Sequence, residues 1–304
     1  MRTLKLGTRG SDLALTQSRW VAHQIESAHQ EVEVELVVIK TRGDRDQKSA
    51  LNKFAGKGIF TKEIEEALLA AEIDLAVHSL KDLPTTLPEG LSLAQPPKRE
   101  DPRDLLVSSV ALMELPQGAV VGTGSARCRE QLRALRPDLK FEEIRGNVAT
   151  RVRTWRDGLY DATVLACAGV ERLGLEKAGL QPGESRPLDY DQCLPAPGQG
   201  VLGLEIREGD ESTRSLLDRI ACSEAVIAST AERAFLAELE GGCHIPAGAH
   251  AVIEGDRMTL SGFLAMGDPL RTARRSAEAP VEEAADLGRK IARELKEEVS
   301  GSRS

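Results

Sequence analysis

Residues 61–80, TKEIEEALLAAEIDLAVHSL, hold the pattern that decides the fold. TKEIEEALLAAE reads as an amphipathic helix: Ile64, Leu68 and Ala71 recur on one face, and Glu63 and Glu65 put acid in the first turn, where the helix dipole favours it. IDLAVHSL then reads as a buried strand. Working outward, the stretch before it gives a strand LKLGT (4–8), a helix from Ser11 to about Ala28 with Ser11 as N-cap, and an alternating strand EVEVELVVIK (31–40). Short β-rich runs alternating with helices predict a parallel α/β sheet.

The turn-rich segments KDLPTTLPEG (81–90) and QPPKREDPR (95–103) lead into a second block of the same kind. It comprises DLLVSS, AVVGTG, a helix SARCREQLRALR, KFEEI, a helix NVATRVRTWRDG and a strand ATVLACAG. Pro195, Pro197, Gly198 and Gly200 in LPAPGQG then punctuate a return crossover before VLGLEI. The expectation is two α/β lobes joined by two crossovers, with a cleft between them. From about Ser215 to Leu239 the spacing of Leu216, Ile220, Ala228, Ala231, Phe235 and Leu239 predicts one long amphipathic helix. Strands HAVIEG and MTLSGFLAM around the turn EGDR follow, then a helix over 281–299. The domain division is therefore 1–97 with 198–214, 98–197, and a small α+β domain over 215–304.

A chain of 304 residues is long for one core and suits this division. The net charge of −8 argues against non-specific nucleic-acid binding. No apolar run approaches the roughly 18 residues of a membrane span, and MRTLKLGTRGSD lacks the charged-then-apolar layout of a signal peptide. The expectation is a soluble cytoplasmic protein. Its five cysteines (Cys128, Cys167, Cys193, Cys222, Cys243) are scattered without a CxxC pair, so neither a disulfide framework nor a metal site is expected.

Three strand-to-helix turns carry the same chemical kit: Arg9 with Ser11, Arg127 with Thr123 and Ser125, and Arg145 with Asn147 and Arg151. Backbone N–H groups, a helix dipole and a guanidinium in one place hold a carboxylate or phosphate. Hydroxyls that merely cap helices beside solvated arginines would look the same. Asp82, at the carboxyl end of its strand and stiffened by Pro84 and Pro88, is either a turn aspartate paired with Lys81 or a group that carries a proton or steadies a cation. His78 lies four residues earlier, on the same side if the strand continues, and reads as a satisfied core group. Cys243, after Gly241 and Gly242, is either a small buried apolar residue or a loop thiol open to reaction. The basic, Gly-rich run NKFAGKGIFTKE, with Lys53, Lys57 and Phe60, is either a solvated loop or a lid over an anionic ligand.

In order along the chain stand LGTRGSDLALTQ, GKGIFTKEIE, AVHSLKDLPT, VGTGSAR, IRGNVATRV, LACAGVERLGL, LPAPGQGVLGLE and TAERAFLAELEGGC. Together these closely resemble the porphobilinogen deaminase (hydroxymethylbilane synthase) family over roughly residues 4 to 250. The resemblance implies two periplasmic-binding-protein-like α/β lobes plus a small C-terminal domain. It implies an enzyme of haem biosynthesis that condenses four porphobilinogen molecules into a linear tetrapyrrole with loss of ammonia, as a monomer without nucleic-acid or membrane partners. Cys243 would hold a covalent dipyrromethane cofactor through a thioether, and Asp82 would be the catalytic acid and base. Lys81, Thr123, Ser125, Arg127 and Arg151 would grip the cofactor, and Arg9, Ser11, Gln17, Arg145 and Arg172 the incoming and growing pyrroles.

The chain departs from the family at Cys128, where a second consecutive arginine is usual. Arg129 stands one place later, and that shift turns a helical side chain by about 100°, so it cannot simply replace the missing guanidinium. A hinged two-lobed binding protein and a cysteine-nucleophile transferase are the competing readings. The first has no call for Lys81–Asp82 or an exposed Cys243, and the second needs a base that adjacent His244 is poorly placed to be.

Overall fold

The computed structural model describes residues 2–41, 61–239, 245–267 and 269–301. The chain forms two compact units, one of residues 1–99 with 201–226, the other of 100–200 with 227–304.

The first unit contains β1 (Arg2–Thr8), α1 (Asp12–Ala28), β2 (Val32–Val38), α2 (Lys62–Leu69), β3 (Leu75–Ser79) and β4 (Leu91–Ala94). Its last strand, β10 (Leu202–Arg207), comes after the excursion through the other unit. The sheet order is β2-β1-β3-β10-β4, with β1 parallel to β2 and β3. β10 runs antiparallel to both β3 and β4, so the sheet is mixed where the βα alternation predicted a parallel one. No helical crossover links β3 to β10, and nothing therefore obliges them to run the same way. Leu4, Leu6, Val21, Ile25, Leu75 and Leu204 form the core, which fits the strand alternation and the 3.6-residue stripe of α1.

The second unit repeats this plan. β5 (Asp104–Val107), β6 (Val120–Gly122), α3 (Ala126–Leu135), β7 (Lys140–Glu142), α4 (Val148–Arg156), β8 (Ala162–Ala166), α5 (Cys167–Leu173), α6 (Leu175–Ala178) and β9 (Ser185–Pro187) give the order β7-β6-β8-β5-β9. β6 is parallel to β7 and β8, while β5 is antiparallel to β8 and β9. Cys167, read as a strand residue, opens α5 instead; burial pushes its thiol up to about 12, which makes it an inert core group.

The expected long helix is two. α7 (Glu211–Leu217) ends in a 3-10 turn, Ala221 is extended, Cys222 N–H donates to Pro96 carbonyl, and α8 (Ser223–Glu238) begins anew. Leu216, Leu217 and Ile220 pack with the first unit's core, whereas Ala228, Ala231, Phe235 and Leu239 join a different cluster. The apolar spacing is continuous but serves two cores, and the first compact unit runs on to 226.

The remainder is an antiparallel meander, β11 (Ala247–Glu254), β12 (Arg257–Met266) and β13 (Arg271–Pro280), covered by α8 and α9 (Ala284–Ser300). β13, RTARRSAEAP, was not legible as a strand because only Ala273 and Ala279 turn fully inward. Among the described residues no helix is long and apolar enough to cross a membrane.

Candidate functional site

In the first unit the predicted residues gather at the carboxyl edge of the sheet. β1 and β3 are parallel neighbours, so Arg9 and Ser11 after β1, and Lys81 and Asp82 after β3, leave from the same edge. Ser11 caps α1 by accepting from Ala14 N–H at 3.3 Å. Buried Ser18 donates to Thr8 at 2.7 Å, and Thr8 in turn bonds Ala14 carbonyl, which fixes the first turn of α1 to the end of β1. Gln17, also buried, donates to Ser79 Oγ at 3.3 Å and so sits against the end of β3.

Asp82 lies in a 3-10 turn, Leu80–Asp82, anchored by the buried side chains of Leu80 and Leu83 and by a bond from Leu80 N–H to Val201 carbonyl. The carboxylate itself is exposed. The strand stops at Ser79, so the alternation that set His78 and Asp82 on one side does not reach Asp82. His78 is the core group expected: its Nε2 lies 3.0 Å from Glu205 Oε2, with both side chains buried.

In the second unit Thr123, Arg145 and Asn147 follow the parallel strands β6 and β7, again at one carboxyl edge, and Arg172 lies on α5 after β8. Ser125 caps α3 by accepting from Cys128 N–H, and Asn147 caps α4 by accepting from Thr150 N–H at 2.9 Å. Thr123 Oγ1 accepts from Ser125 N–H at 3.1 Å. Arg151 Nε donates to Gly146 carbonyl at 2.9 Å, and Arg145 pairs with Glu143 at 2.6 Å. Arg172 donates to Gly200 carbonyl at 2.7 Å; burial pulls its basicity down against the opposing pull of Glu100 and Glu171.

Arg127 differs from these. It is buried, and Asp104 on β5 takes it bidentately, at 2.7 Å to Nη1 and 3.0 Å to Nη2. Nη1 also donates to Leu194 carbonyl at 2.6 Å. Burial works against the charge, but Asp104 beside it holds the guanidinium protonated well above the usual arginine range. Those bonds use three of its five N–H donors. Arg129, the next arginine, is paired with Glu130 at 2.7 Å, and Cys128 turns its thiol toward Asp104.

Cys243 lies outside the described residues, as do Lys53, Lys57 and Phe60. Two supporting acids escaped the sequence reading. Asp104 looked like the polar start of an apolar strand, yet it anchors Arg127. Glu232, fully buried on α8, accepts from Gly198 N–H at 2.7 Å and Ala251 N–H at 3.0 Å, and so holds the LPAPGQG segment against β11. The only local hint of either was an acid among residues otherwise suited to a core.

The family model for "porphobilinogen deaminase, dipyromethane cofactor binding domain" matches residues 4–215, and that for "porphobilinogen deaminase, C-terminal domain" matches 226–297. Curated porphobilinogen deaminases are similar along nearly the whole chain. That of Syntrophomonas wolfei is 46% identical over 97% of this chain and 95% of its own. A Roseiflexus relative is 48% identical over 97% and 96% respectively. Among solved structures, a Salmonella typhimurium periplasmic binding protein described for its arginine specificity aligns with 74% of this chain and 96% of its own, at 14% identity and a TM-score of 0.42.

Proposed function

The chain belongs to the porphobilinogen deaminase family, and on that footing we propose that it joins four porphobilinogen molecules head to tail into hydroxymethylbilane, releasing one ammonia per unit. The observation that carries the reading is Asp82, an exposed carboxylate on a turn pinned from beneath, at the same sheet edge as Arg9, Ser11, Gln17 and Lys81.

The residues present suit a dipyrromethane. Each of its rings bears an acetate and a propionate, and the second unit offers two side-chain-capped helix N-termini with Arg127, Arg145 and Arg151 beside them. When bound, through a thioether to Cys243, the dipyrromethane supplies the pyrrole carbon from which the chain is extended.

Lys81, Thr123, Ser125, Arg127 and Arg151 would hold its carboxylates, Arg127 through the N–H groups that Asp104 and Leu194 do not use. Arg9, Ser11, Gln17, Arg145 and Arg172 take the acetates and propionates of the incoming and growing pyrroles. Asp82 would accept from pyrrole N–H groups, help the amine leave porphobilinogen, steady the cation that remains on that substrate, and afterwards take up the proton released on coupling. One carboxylate can do all of this because the positive charge appears and disappears within its reach. A monomeric enzyme of the cytoplasm completes the proposal, supported by the family alone.

The test is the intact mass of the purified protein under denaturing conditions, together with ammonia release from porphobilinogen. A covalent excess equal to a dipyrromethane, lost in Cys243→Ser, is expected. An unmodified mass without ammonia release would leave a two-lobed binding protein as the better reading.

A further inference from the structure

Cys128 on α3 and Cys193 in the segment after β9 meet in one core cluster with Leu106, Leu132 and Val164, at 2% and 0% exposure. Their sulfurs and an Asp104 carboxylate oxygen all lie within 4.8 Å of one another. Cys128 Sγ is 3.8 Å from Asp104 Oδ1, and Cys193 Sγ is 3.5 Å from Oδ2. Arg127 Nη1 stands 3.3 Å from Cys193 Sγ and Gln131 Nε2 3.5 Å.

A carboxylate and two thiols are a donor set for a thiophilic divalent cation. Here the place is already filled by a cation. The Arg127 guanidinium bridges Asp104 and Cys193, so a metal would stand against it with only three protein ligands and no room to shed the repulsion. What remains for two thiols this close is each other.

We infer that Cys128 and Cys193 form a redox-active dithiol, closed to a disulfide by a hydroperoxide and reopened by a dithiol reductant. Between the two, a hydrogen bond from Cys193 holds the Cys128 thiol down; burial and the Asp104 carboxylate oppose this, and Arg127 and Ser125 assist it. Cys193 is pushed up by donating that same bond and by burial. Cys128 is thus the nucleophile. Its thiolate sulfur attacks a peroxide oxygen, the O–O bond breaks, and the departing hydroxide takes up a proton as water, leaving a sulfenic acid. The Cys193 sulfur attacks that sulfur, the S–O bond breaks, and hydroxide leaves with the Cys193 proton as a second water. Two thiols are oxidised by two electrons, and one hydrogen peroxide becomes two waters.

Closure draws the sulfurs, now within 4.8 Å, to a bond of about 2.0 Å. It leaves the bidentate Arg127 on Asp104, and it ties the first turn of α3 to the segment running into Leu194. The chain thereby gains a covalent lock on the turn that carries Thr123, Ser125 and Arg127.

The experiment treats the folded full-length protein with graded hydrogen peroxide, traps remaining thiols with N-ethylmaleimide during unfolding, and maps peptides without reduction. A linked Cys128–Cys193 pair is expected, with a mass loss of two hydrogens, reversed by dithiothreitol. Cys128→Ser and Cys193→Ser each lose the pair and leave the partner cysteine as sulfinic acid or maleimide adduct. Were both cysteines recovered singly alkylated at peroxide doses that already oxidise half-exposed Cys222, the inference would be overturned. The wild-type map decides the matter even if either variant folds poorly.

Discussion

Asp104→Asn tests how much of the second unit rests on one buried charge. In the wild type the Asp104 and Arg127 side chains are 4% and 8% exposed, and the carboxylate takes two guanidinium N–H groups, at 2.7 and 3.0 Å. Asparagine keeps the volume but removes the charge and turns an amide N–H₂ toward a guanidinium. Arg127 then keeps one asparagine oxygen, the Leu194 carbonyl and the Cys193 sulfur as acceptors, and the N–H group that met the second carboxylate oxygen faces an amide donor. It cannot escape by deprotonating, since arginine stays charged at any pH the fold tolerates.

Removing one partner of a buried pair costs about 3–5 kcal/mol. At about 2–4 °C per kcal/mol for a protein of this size class, the melting temperature should fall by about 6–20 °C. Circular dichroism melts and urea titrations at neutral pH measure it. The double variant Asp104→Leu with Arg127→Leu, which leaves no charge unpaired, should recover much of the loss. If Asp104→Asn melted within about 1 kcal/mol of wild type, the buried pair would not be holding this turn.

Three further outcomes follow from other contacts. A methyl group on Gly288 would meet the Ala231 carbonyl and the Phe235 amide across the α8–α9 contact, so Gly288→Ala should cost about 1–3 kcal/mol in a thermal melt, and an unchanged midpoint would contradict that packing. Burial raises the Glu65 carboxyl, with Glu205 adding to it and Thr61 and His78 opposing. The folded state therefore keeps its proton longer than the unfolded state, and stability declines as pH rises from about 4.3 until the folded group ionises. Glu65→Gln should remove that decline, as urea titrations from pH 4 to 7 would show; parallel curves for the two proteins would refute it. Asp82→Ala should lower ammonia release by about 10²-fold or more with an unchanged far-ultraviolet spectrum, and near-normal turnover would take Asp82 out of the mechanism.

What could be read from the sequence was local. Ser11, Ser125 and Asn147 cap helices in the structure as their positions predicted, because a cap is a bond between a side chain and a backbone group three residues away. The sheets' mixed direction was not legible, because β5 and β10 enter beside strands they do not follow in the chain. The break at Ala221 was hidden for a related reason: periodicity records that a residue is buried, not in which core. Arg127 shows the same limit within the site. Its place at a helix N-terminus marked it as an anion ligand, and only Asp104, from another strand, reveals that most of its donors are already used.

Cys128 sharpens this point. With a second arginine absent there, the turn's cationic character would have to come from Arg127 or from Arg129. Arg127 spends its charge on Asp104, and Arg129 is held by Glu130, which it shares with Arg133, so Arg127 brings no uncompensated guanidinium to the first turn of α3. A carboxylate binding there would meet helix-terminal N–H groups and the spare edge of a neutralised ion pair, which attract it through hydrogen bonds more than through net charge. Affinity at this turn should accordingly depend only weakly on salt. Ser125→Ala should therefore lower holoenzyme stability by about the same amount at low and at high salt, as thermal melts at two ionic strengths would show, and a loss that shrinks with salt would mean that net charge is present at the turn.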